Sequence, residues 1–260
     1  MVFSGLDPTG GAGLQADIEA IASMGCHTAP LVTALTVQDS CNVSQVSPIE
    51  GLFLVEQARA VLEDMPVHAF KIGMLGSVEV IEAIHGILID YPDIPVVLDP
   101  VLSAGGGESL ADPEIIEAMR ALLLPETTVL TPNSHEARAL APGADTLDAC
   151  AQELMSQGCE FVLITGTHEN TDEVENHLYA NLRRLETFIW ERLAQSYHGS
   201  GCTLAGAIAG LLAQGLEPMT AIYEAQEYTW ETLQQGFRLG MCQSIPNRLF
   251  WARGEEAEET

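Results

Sequence analysis

A cysteine lies near the start of a predicted helix, in the segment YHGSGCTLAGAIAG, where it could take part in chemistry. Gly199 and Gly201 flank Ser200 and leave the backbone amides ahead of this helix free of side-chain obstruction. Free amides at a helix N-terminus attract negative charge, so the segment predicts a hole for an oxyanion or a phosphate group. The same dipole favours the thiolate of Cys202, which could act as a base or a nucleophile. A small apolar helix position explains this cysteine equally well, and both interpretations stay open.

A second glycine-rich segment, SGLDPTGGAGLQAD, follows the first predicted strand and leads into a helix. Gly10, Gly11 and Gly13 let the backbone approach a ligand closely. Asp17 either favours the positive end of the helix dipole or accepts a hydrogen bond from a ligand amino group. Gln38, at the end of TALTVQ, suits the edge of a heterocycle, although solvation of a loop is the simpler explanation. The spacing is neither GxGxxG nor GxxxxGK[ST], which disfavours a Rossmann dinucleotide site and a P-loop.

Strand-like and helix-like runs alternate along most of the chain. The predicted strands are MVFSG, TAPLVTAL, VHAFKIGM, IPVVLDPV, TTVLTPN and CEFVLITG. The predicted helices cover residues 15–24, 52–64, 77–90, 113–123, 136–140, 147–157, 202–214 and 218–237. Continuous β-branched runs suit parallel strands that are buried on both faces. We therefore predict an α/β sandwich with a mostly parallel central sheet, in one domain over residues 1–245 followed by an acidic tail over 246–260. Residues 177–197 fit a helix or a hairpin, and we favour strands.

Polar and glycine-rich segments follow the predicted strands or precede the cysteine helix. They are SGLDPTGGAG, KIGM, LDPVLSAGGG, LTPNSHE, ITGTH and YHGSGC. Ligands of open α/β sheets collect at the carboxyl ends of the strands, so we expect these segments on one rim. Any one of them could be a plain turn, but folding alone does not require so many on one edge.

The chain is strongly acidic, with 37 acidic and 10 basic residues, a formal charge of −27, and Lys71 as its only lysine. Such a surface repels nucleic acid and anionic membranes, so we predict neither as a partner. We favour a halophilic protein over an ordinary acidic one with an acidic tail, because the tail GEEAEET supplies only four acidic residues. For Lys71, a structural role in pairing with buried acids and a functional role are both open.

The six cysteines lack CxxC spacing: Cys26, Cys41, Cys150, Cys159, Cys202 and Cys242. This scatter argues against zinc and against a disulfide framework, and it predicts reduced cytosolic thiols. The sequence also shows neither a signal-peptide pattern nor an apolar run of the roughly 18–20 residues that a membrane-spanning helix needs. We expect a cytoplasmic protein.

The segments GLDPTGGAGLQAD, TALTVQ, KIGM, DPV, TPNSHEA and HGSGCTLAGAIA resemble, in order and spacing, those of the hydroxymethylpyrimidine/phosphomethylpyrimidine kinases of thiamine biosynthesis. These enzymes belong to the ribokinase-like superfamily, and the resemblance covers the chain from about residue 3 to about residue 240. It implies a ribokinase-like three-layer α/β/α fold. It also implies phosphorylation of 4-amino-5-hydroxymethyl-2-methylpyrimidine and then of its monophosphate by ATP, with Mg²⁺, a further candidate K⁺, and a homodimer.

The resemblance also implies roles for individual residues. Cys202 would take or guide the hydroxyl proton, while the amides of Ser200, Gly201 and Cys202 stabilise the transferring phosphoryl group. Asn133 and Glu136 match the motif that organises magnesium, mostly through water. The positions that match those holding the pyrimidine are Gly11, Ala12, Asp17, Gln38 and Met74.

Thr165 departs from the family pattern. It stands in VLITGTH, where relatives commonly read VLxKGGH, so a lysine that contacts phosphate is missing. The resemblance nevertheless implies that Thr165, Gly166 and Asn133 bind ATP or its phosphates. The hypothesis is that metal ions and the GSGC amides carry the missing charge, aided by His168 or intracellular cations. Two alternatives are open: a pyridoxal or pyridoxine kinase, which would reject the monophosphate, and a catalytically weak pyrimidine-binding homologue. The presence of Cys202, Asn133 and Glu136 opposes the second alternative.

Overall fold

The computed structural model describes residues 1–102 and 112–252. Its strands are β1 (Val2–Leu6), β2 (Pro30–Gln38), β3 (Val43–Pro48), β4 (Phe70–Ile72), β5 (Val96–Leu98), β6 (Val129–Leu130), β7 (Phe161–Ile164), β8 (Val174–Ala180) and β9 (Arg183–Trp190). Its α-helices are α1 (Gly13–Ser23), α2 (Gly51–Asp64), α3 (Val78–Asp90), α4 (Pro113–Ala118), α5 (Ser134–Leu140), α6 (Leu147–Ser156), α7 (Ser200–Ala213) and α8 (Pro218–Gln234). None of the helices in this part of the chain is long and apolar enough to cross a bilayer.

The strands form one nine-stranded sheet in the order β3-β2-β1-β4-β5-β6-β7-β8-β9. The six central strands β2, β1, β4, β5, β6 and β7 are parallel to one another. At the two edges of the sheet, β3 pairs antiparallel with β2, β8 with β7, and β9 with β8. The short strands β4, β5 and β6 are buried throughout, as expected for strands covered on both faces. The prediction of a mostly parallel α/β sheet is confirmed.

Alternation along the strands divides the core into two layers of side chains. Leu98 and Leu130 pack into the cluster that contains the helices α2 to α6. Val97 and Val129, one residue earlier on the same strands, pack into the cluster with α7 and α8. Because successive strand residues point to opposite faces, helices cover both sides of the sheet, giving three layers.

The predicted helices are confirmed to within a few residues, and the 177–197 stretch contains β9 and the last four residues of β8, which form a hairpin as favoured. Asn181 and Leu182 form its turn with φ of 53° and 60°, the geometry of a tight two-residue hairpin. The helix predicted over 113–123 becomes a π-helical turn after Ala118. The edge strand β3, with the sequence VSQVSP, was not predicted, because it is mostly exposed and carries little apolar alternation. The segment SAGGGES after DPV lies outside the described residues.

The chain beyond residue 245 continues to pack on the domain. Arg248 is only 1% exposed, and Asn247 is also buried. The predicted domain boundary at residue 245 is therefore too early, because residues 246–252 belong to the packed structure. Residues 253–260 of the predicted acidic tail lie outside the described residues.

Cys41 and Cys242 form a disulfide across 201 residues of sequence. The Cys41 loop, between β2 and β3, meets the segment after α8, where the Ser40 carbonyl accepts a hydrogen bond from the Gln243 amide at 3.2 Å. The prediction of reduced thiols is wrong for this pair, since only the fold brings the two loops together. The thiols of Cys26, Cys150, Cys159 and Cys202 are free.

The disulfide should stabilise the fold measurably. Replacing Cys242→Ser is expected to lower the free energy of unfolding by about 2–4 kcal/mol, because the unfolded chain loses a long cross-link. Urea titration of the oxidised protein measures this, and a dithiol reductant should destabilise the parent protein but leave the variant unchanged. Six reactive thiols, rather than four, in the denatured and unreduced protein would contradict the pairing.

Candidate active site

A cavity of about 540 Å³ opens at the carboxyl edge of the parallel strands. Each of six parallel strands is followed or ended by a residue that lines it: Asp7, Gln38, Met74, Asp99, Asn133 and Thr165. The start of α7 closes another side. The prediction that the polar and glycine-rich segments share one rim is thus confirmed for their described residues, because parallel strands end at one edge of the sheet.

Most of the predicted site residues line this cavity. They are Ala12, Gln38, Met74, Asn133, Glu136, Thr165, Gly199, Ser200, Gly201 and Cys202. Gly11, Asp17 and Gly166 do not belong to its wall. Gly166 donates its amide to the Asn176 side chain at 3.0 Å, so that amide is already used within the protein.

The first turn of α7 forms one end of the cavity. Gly199 precedes it with φ of 89°, and a Cβ at this position would lie 2.0 Å from the Gly11 carbonyl oxygen. Only glycine satisfies both the left-handed backbone and this close approach. The amides of Ser200, Gly201 and Cys202 have no acceptor within the helix, because a helix leaves its first turn unpaired. The arrangement provides donors for a phosphate group at the cavity wall.

Close packing of α1 on α7 brings the two glycine-rich segments to the same place. A Cβ at Gly206 would lie 3.2 Å from the Cβ of Ala20, so a larger residue would push the helices apart. The helices therefore begin side by side at the cavity.

The Cys202 thiol is buried at the start of α7, among the charged groups of Asp99, Asp17 and Lys71. Burial raises the pKa of Cys202 to about 12, and Asp99 and Asp17 add to this while Lys71 opposes it. Desolvation and the two nearby carboxylates thus oppose the thiolate that the helix dipole would favour. Cys202 lies at the cavity as a neutral thiol.

Lys71 and Asp17 form a buried ion pair beneath the cavity. The Lys71 Nζ lies 2.8 Å from Asp17 Oδ1 and 4.0 Å from Asp99 Oδ2, and both members of the pair are fully buried. Burial alone would lower the pKa of Lys71, but the adjacent Asp17 raises it above its usual value, so the ammonium stays charged. The structure does not place Asp17 for direct contact with a ligand, contrary to the prediction, because its carboxylate faces Lys71 on the buried side of α1.

Asn133 and Glu136 form a capping box at the start of α5. Asn133 Oδ1 accepts from the Glu136 amide at 3.0 Å, and Glu136 Oε2 accepts from the Asn133 amide at 2.8 Å. Burial, followed by repulsion from Asp99, raises the pKa of Glu136 to about 8. Burial also raises the pKa of Asp99 to about 6, although Lys71 opposes this. The motif TPNSHE therefore has a structural role in addition to any role with a metal.

The two carboxylates suit a hard cation. Asp99 Oδ2 is buried without a hydrogen-bond partner, and Glu136 lines the same cavity. A divalent cation bound near both would relieve their repulsion, with phosphate oxygens and water completing its shell. In the part of the chain that the structure describes, no set of three or more acidic, histidine or cysteine side chains could hold a metal alone.

Cationic side chains are scarce on the described cavity wall. Arg192 donates to the carbonyl oxygens of Thr167, Glu169, Thr171 and Glu173 and to the Thr171 hydroxyl, so its guanidinium is occupied by one loop. Burial, followed by the charge of His135, lowers the pKa of His168, which disfavours it as a source of positive charge. Thr165 stands where the sequence comparison expected a lysine, and no nearby cation on this wall replaces it.

Several site residues had no predicted role. Asp7 accepts hydrogen bonds from Thr9, Ala12 and His198, the last at 2.8 Å from Nε2. Burial would raise the pKa of Asp7, but these hydrogen bonds lower it overall. Asp7, Asp99 and His198 lie within the segments SGLDPTGGAG, LDPVLSAGGG and YHGSGC. The position of these segments after a strand or before α7 was the signal that could have identified the three residues. Arg248 gave no signal, because it lies in the predicted tail.

The mostly parallel sheet with helices on both faces is the ribokinase-like fold, which solved kinases of small molecules share. The chain belongs to the phosphomethylpyrimidine kinase family, whose model matches residues 7–247. It is 34% identical over 251 residues to the hydroxymethylpyrimidine/phosphomethylpyrimidine kinase of Salmonella typhimurium, covering 94% of each chain.

Solved structures of two kinds of kinase share the fold. An ADP complex of Bacillus subtilis pyridoxal kinase has a TM-score of 0.87 and 30% identity, covering 95% of this chain and 96% of that one. A phosphomethylpyrimidine kinase from Clostridium difficile has a TM-score of 0.77 and 31% identity, covering 89% of this chain and 97% of that one.

Proposed function

We propose that this chain transfers the γ-phosphoryl group of ATP to hydroxymethylpyrimidine and then phosphorylates the monophosphate to the diphosphate in thiamine biosynthesis. The family and the name of the Salmonella relative support this activity. The observation that carries the proposal is that Cys202, the α7 amides, Gln38 and Met74 line one cavity. Donors for a phosphate group and a wall for a flat heterocycle therefore face the same space.

In the proposed mechanism, the alcohol oxygen attacks the γ-phosphorus while the bond to the ADP oxygen breaks. The amides of Ser200, Gly201 and Cys202 hold the charge on the transferring group, since phosphoryl transfer depends mainly on alignment and neutralisation. In the first transfer, the Cys202 sulfur accepts the alcohol proton as the thiol proton passes to the nearby Asp99 carboxylate, so that the thiol stays neutral and Asp99 ends protonated.

Met74 and Gln38 would hold the pyrimidine. Met74 lies over Gly5, where a Cβ would come within 2.6 Å of its methyl group. Gln38 donates to the Thr36 hydroxyl at 2.8 Å, which orients its amide along the wall. Ala12 lines the same cavity.

Mg²⁺ is the proposed cofactor beside ATP, with K⁺ as a second cation. Glu136, Asn133 and Asp99 would hold Mg²⁺, largely through water and the phosphate oxygens. A Mg²⁺ ion held by these residues would supply the neutralising charge that Thr165 cannot. Two observations support this cation site: the buried carboxyl groups of Glu136 and Asp99 repel each other, and free cationic side chains are scarce on the described cavity wall.

A Thr165→Lys variant tests this division of charge. We expect a lower Mg²⁺ or K⁺ concentration for half-maximal rate, because the ammonium would take over part of the neutralisation. Initial rates over a titration of each ion measure the effect, with Thr165→Met as a control of similar length. An unchanged ion requirement and rate in the lysine variant would show that the cations do not compensate for Thr165.

Pyridoxal kinase is the second candidate, because several similar structures are pyridoxal kinases. An ATP-consumption assay with hydroxymethylpyrimidine, its monophosphate and pyridoxal separates the two, since only the proposed function uses the monophosphate. Turnover of pyridoxal alone would replace the proposal. Binding of the pyrimidine without any turnover would indicate the catalytically weak homologue.

A homodimer in a salt-rich cytoplasm completes the proposal. Leu6 pairs in register with Leu35, and both are exposed together with Val37 on one stretch of the sheet surface. This apolar surface supports contact with a second copy, which sedimentation would measure. The formal charge of −27 supports a halophilic setting, so activity should rise with potassium chloride. The same charge disfavours nucleic acid and membranes as partners.

A further inference from the structure

We propose that Arg248 is a positioning residue for phosphoryl transfer, resting on the function proposed above. Its guanidinium holds the first glycine-rich loop (residues 7–12) against the start of α7. The alcohol and the phosphate group would bind at these two places, so their separation determines the reaction geometry.

The guanidinium of Arg248 bridges three parts of the fold. Nε donates to Thr203 Oγ1 in α7 at 2.7 Å, and Nη1 donates to Glu19 Oε2 in α1 at 3.2 Å. Nη2 donates to the Gly11 carbonyl. The side chain is fully buried, so the guanidinium charge is stabilised by these partners and not by water. Loss of the partners would therefore cost free energy.

The bridge extends to the residue that begins α7. The Thr203 hydroxyl, which accepts from Arg248, donates to the Gly199 carbonyl at 2.8 Å. The space beside Gly199 is filled: a Cβ there would lie 2.7 Å from Arg248 Nη2. Arg248 thus sets the orientation of the peptide that leads into the Ser200 and Gly201 amides.

Arg248 is itself anchored by its backbone. Its carbonyl accepts from the Ser23 hydroxyl at 2.7 Å and from the Tyr228 hydroxyl at 2.8 Å. The two glycine-rich segments are joined a second time by His198 and Asp7, at 2.8 Å. Two links between the same loops indicate that their spacing is held tightly.

Loss of the bridge should slow transfer more than it weakens binding. A misplacement of about 1 Å in a reacting group can reduce the rate about 100-fold. We therefore expect kcat for both phosphorylations to fall about 100-fold in Arg248→Met, with KM for ATP changed far less. Arg248→Lys should lose nearly as much, because one ammonium cannot reach three acceptors.

Steady-state kinetics and amide hydrogen exchange test the proposal on the full chain. Exchange at Ser200, Gly201 and Cys202 should become faster in Arg248→Met, and Thr203→Val should show a smaller change of the same kind if the arginine variants fail to fold. Arg59→Met, which removes an exposed arginine, is the matched control. Added guanidinium ion should raise kcat of Arg248→Ala but not of Thr203→Val.

The outcomes separate the two proposals. A parent protein that phosphorylates neither pyrimidine nor pyridoxal would refute the proposed function. Amide exchange at the start of α7 would still test whether Arg248 orders this segment. Unchanged exchange at the start of α7 in both Arg248→Met and Thr203→Val, or an unchanged kcat in folded Arg248→Met, overturns the positioning role.

Discussion

Replacing Lys71→Met is expected to reduce the free energy of unfolding by about 3–5 kcal/mol, because it leaves Asp17 as an unpaired buried charge. The ammonium lies 2.8 Å from Asp17 and 4.0 Å from Asp99, and no solvent reaches the pair. Gly73 adds to the confinement, since a Cβ there would lie 2.7 Å from the Lys71 Nζ. The loss should be visible in urea titration monitored by circular dichroism.

Two variants control this experiment. Asp17→Asn combined with Lys71→Met removes both charges, so it should recover a large part of the lost stability. Arg59→Met breaks an ion pair whose side chains are 58% and 53% exposed, and it should cost less than about 1 kcal/mol. If Lys71→Met lowers the free energy of unfolding no more than Arg59→Met does, the buried pair contributes no more to stability than an exposed pair.

The Cys202→Ala variant should keep pyrimidine binding and lose most turnover. Guiding a proton in the transition state typically contributes about 10²–10⁴-fold to a rate, and alanine removes the only group at this position that can do so. Calorimetric titration with hydroxymethylpyrimidine and the ATP-consumption assay measure the two properties separately.

Cys26→Ala provides the matched control, because this free thiol donates to the Gly210 carbonyl away from the cavity wall. Its kcat should stay near that of the parent protein. If Cys202→Ala were equally active, the thiol would be no more than a packing residue at the helix start, and the proposed proton path would be wrong.

The elements of the fold could largely be predicted from local patterns. Continuous apolar runs marked β4, β5 and β6, and helical periods marked α2 and α3, because burial in a layered fold leaves a period in the sequence. The strand β3 escaped because a largely solvent-exposed edge strand needs few apolar residues.

The candidate site could be predicted only as a set of segments. Gly199 and Gly201 indicated a backbone that accepts a close ligand, and the structure places them at the cavity. The protonation state of Cys202 was not predictable, because its pKa depends on Lys71 in β4 and on Asp99 after β5, which are distant in sequence. From the sequence, Asp17 is an acidic residue near the start of a helix, and only the structure shows that it pairs with Lys71.

What the sequence by itself determined is the α/β layering, the common rim of glycine-rich segments and the kinase family, since these follow from local periods, turn residues and ordered motifs. Only the tertiary structure decided which charges neutralise one another and which loops are tied together. Arg248 meets Gly11 across 237 residues, and Cys41 meets Cys242 across 201. Such partners carry no mutual signal in a single sequence, because a buried charge or thiol is paired by proximity in the fold and not by spacing along the chain.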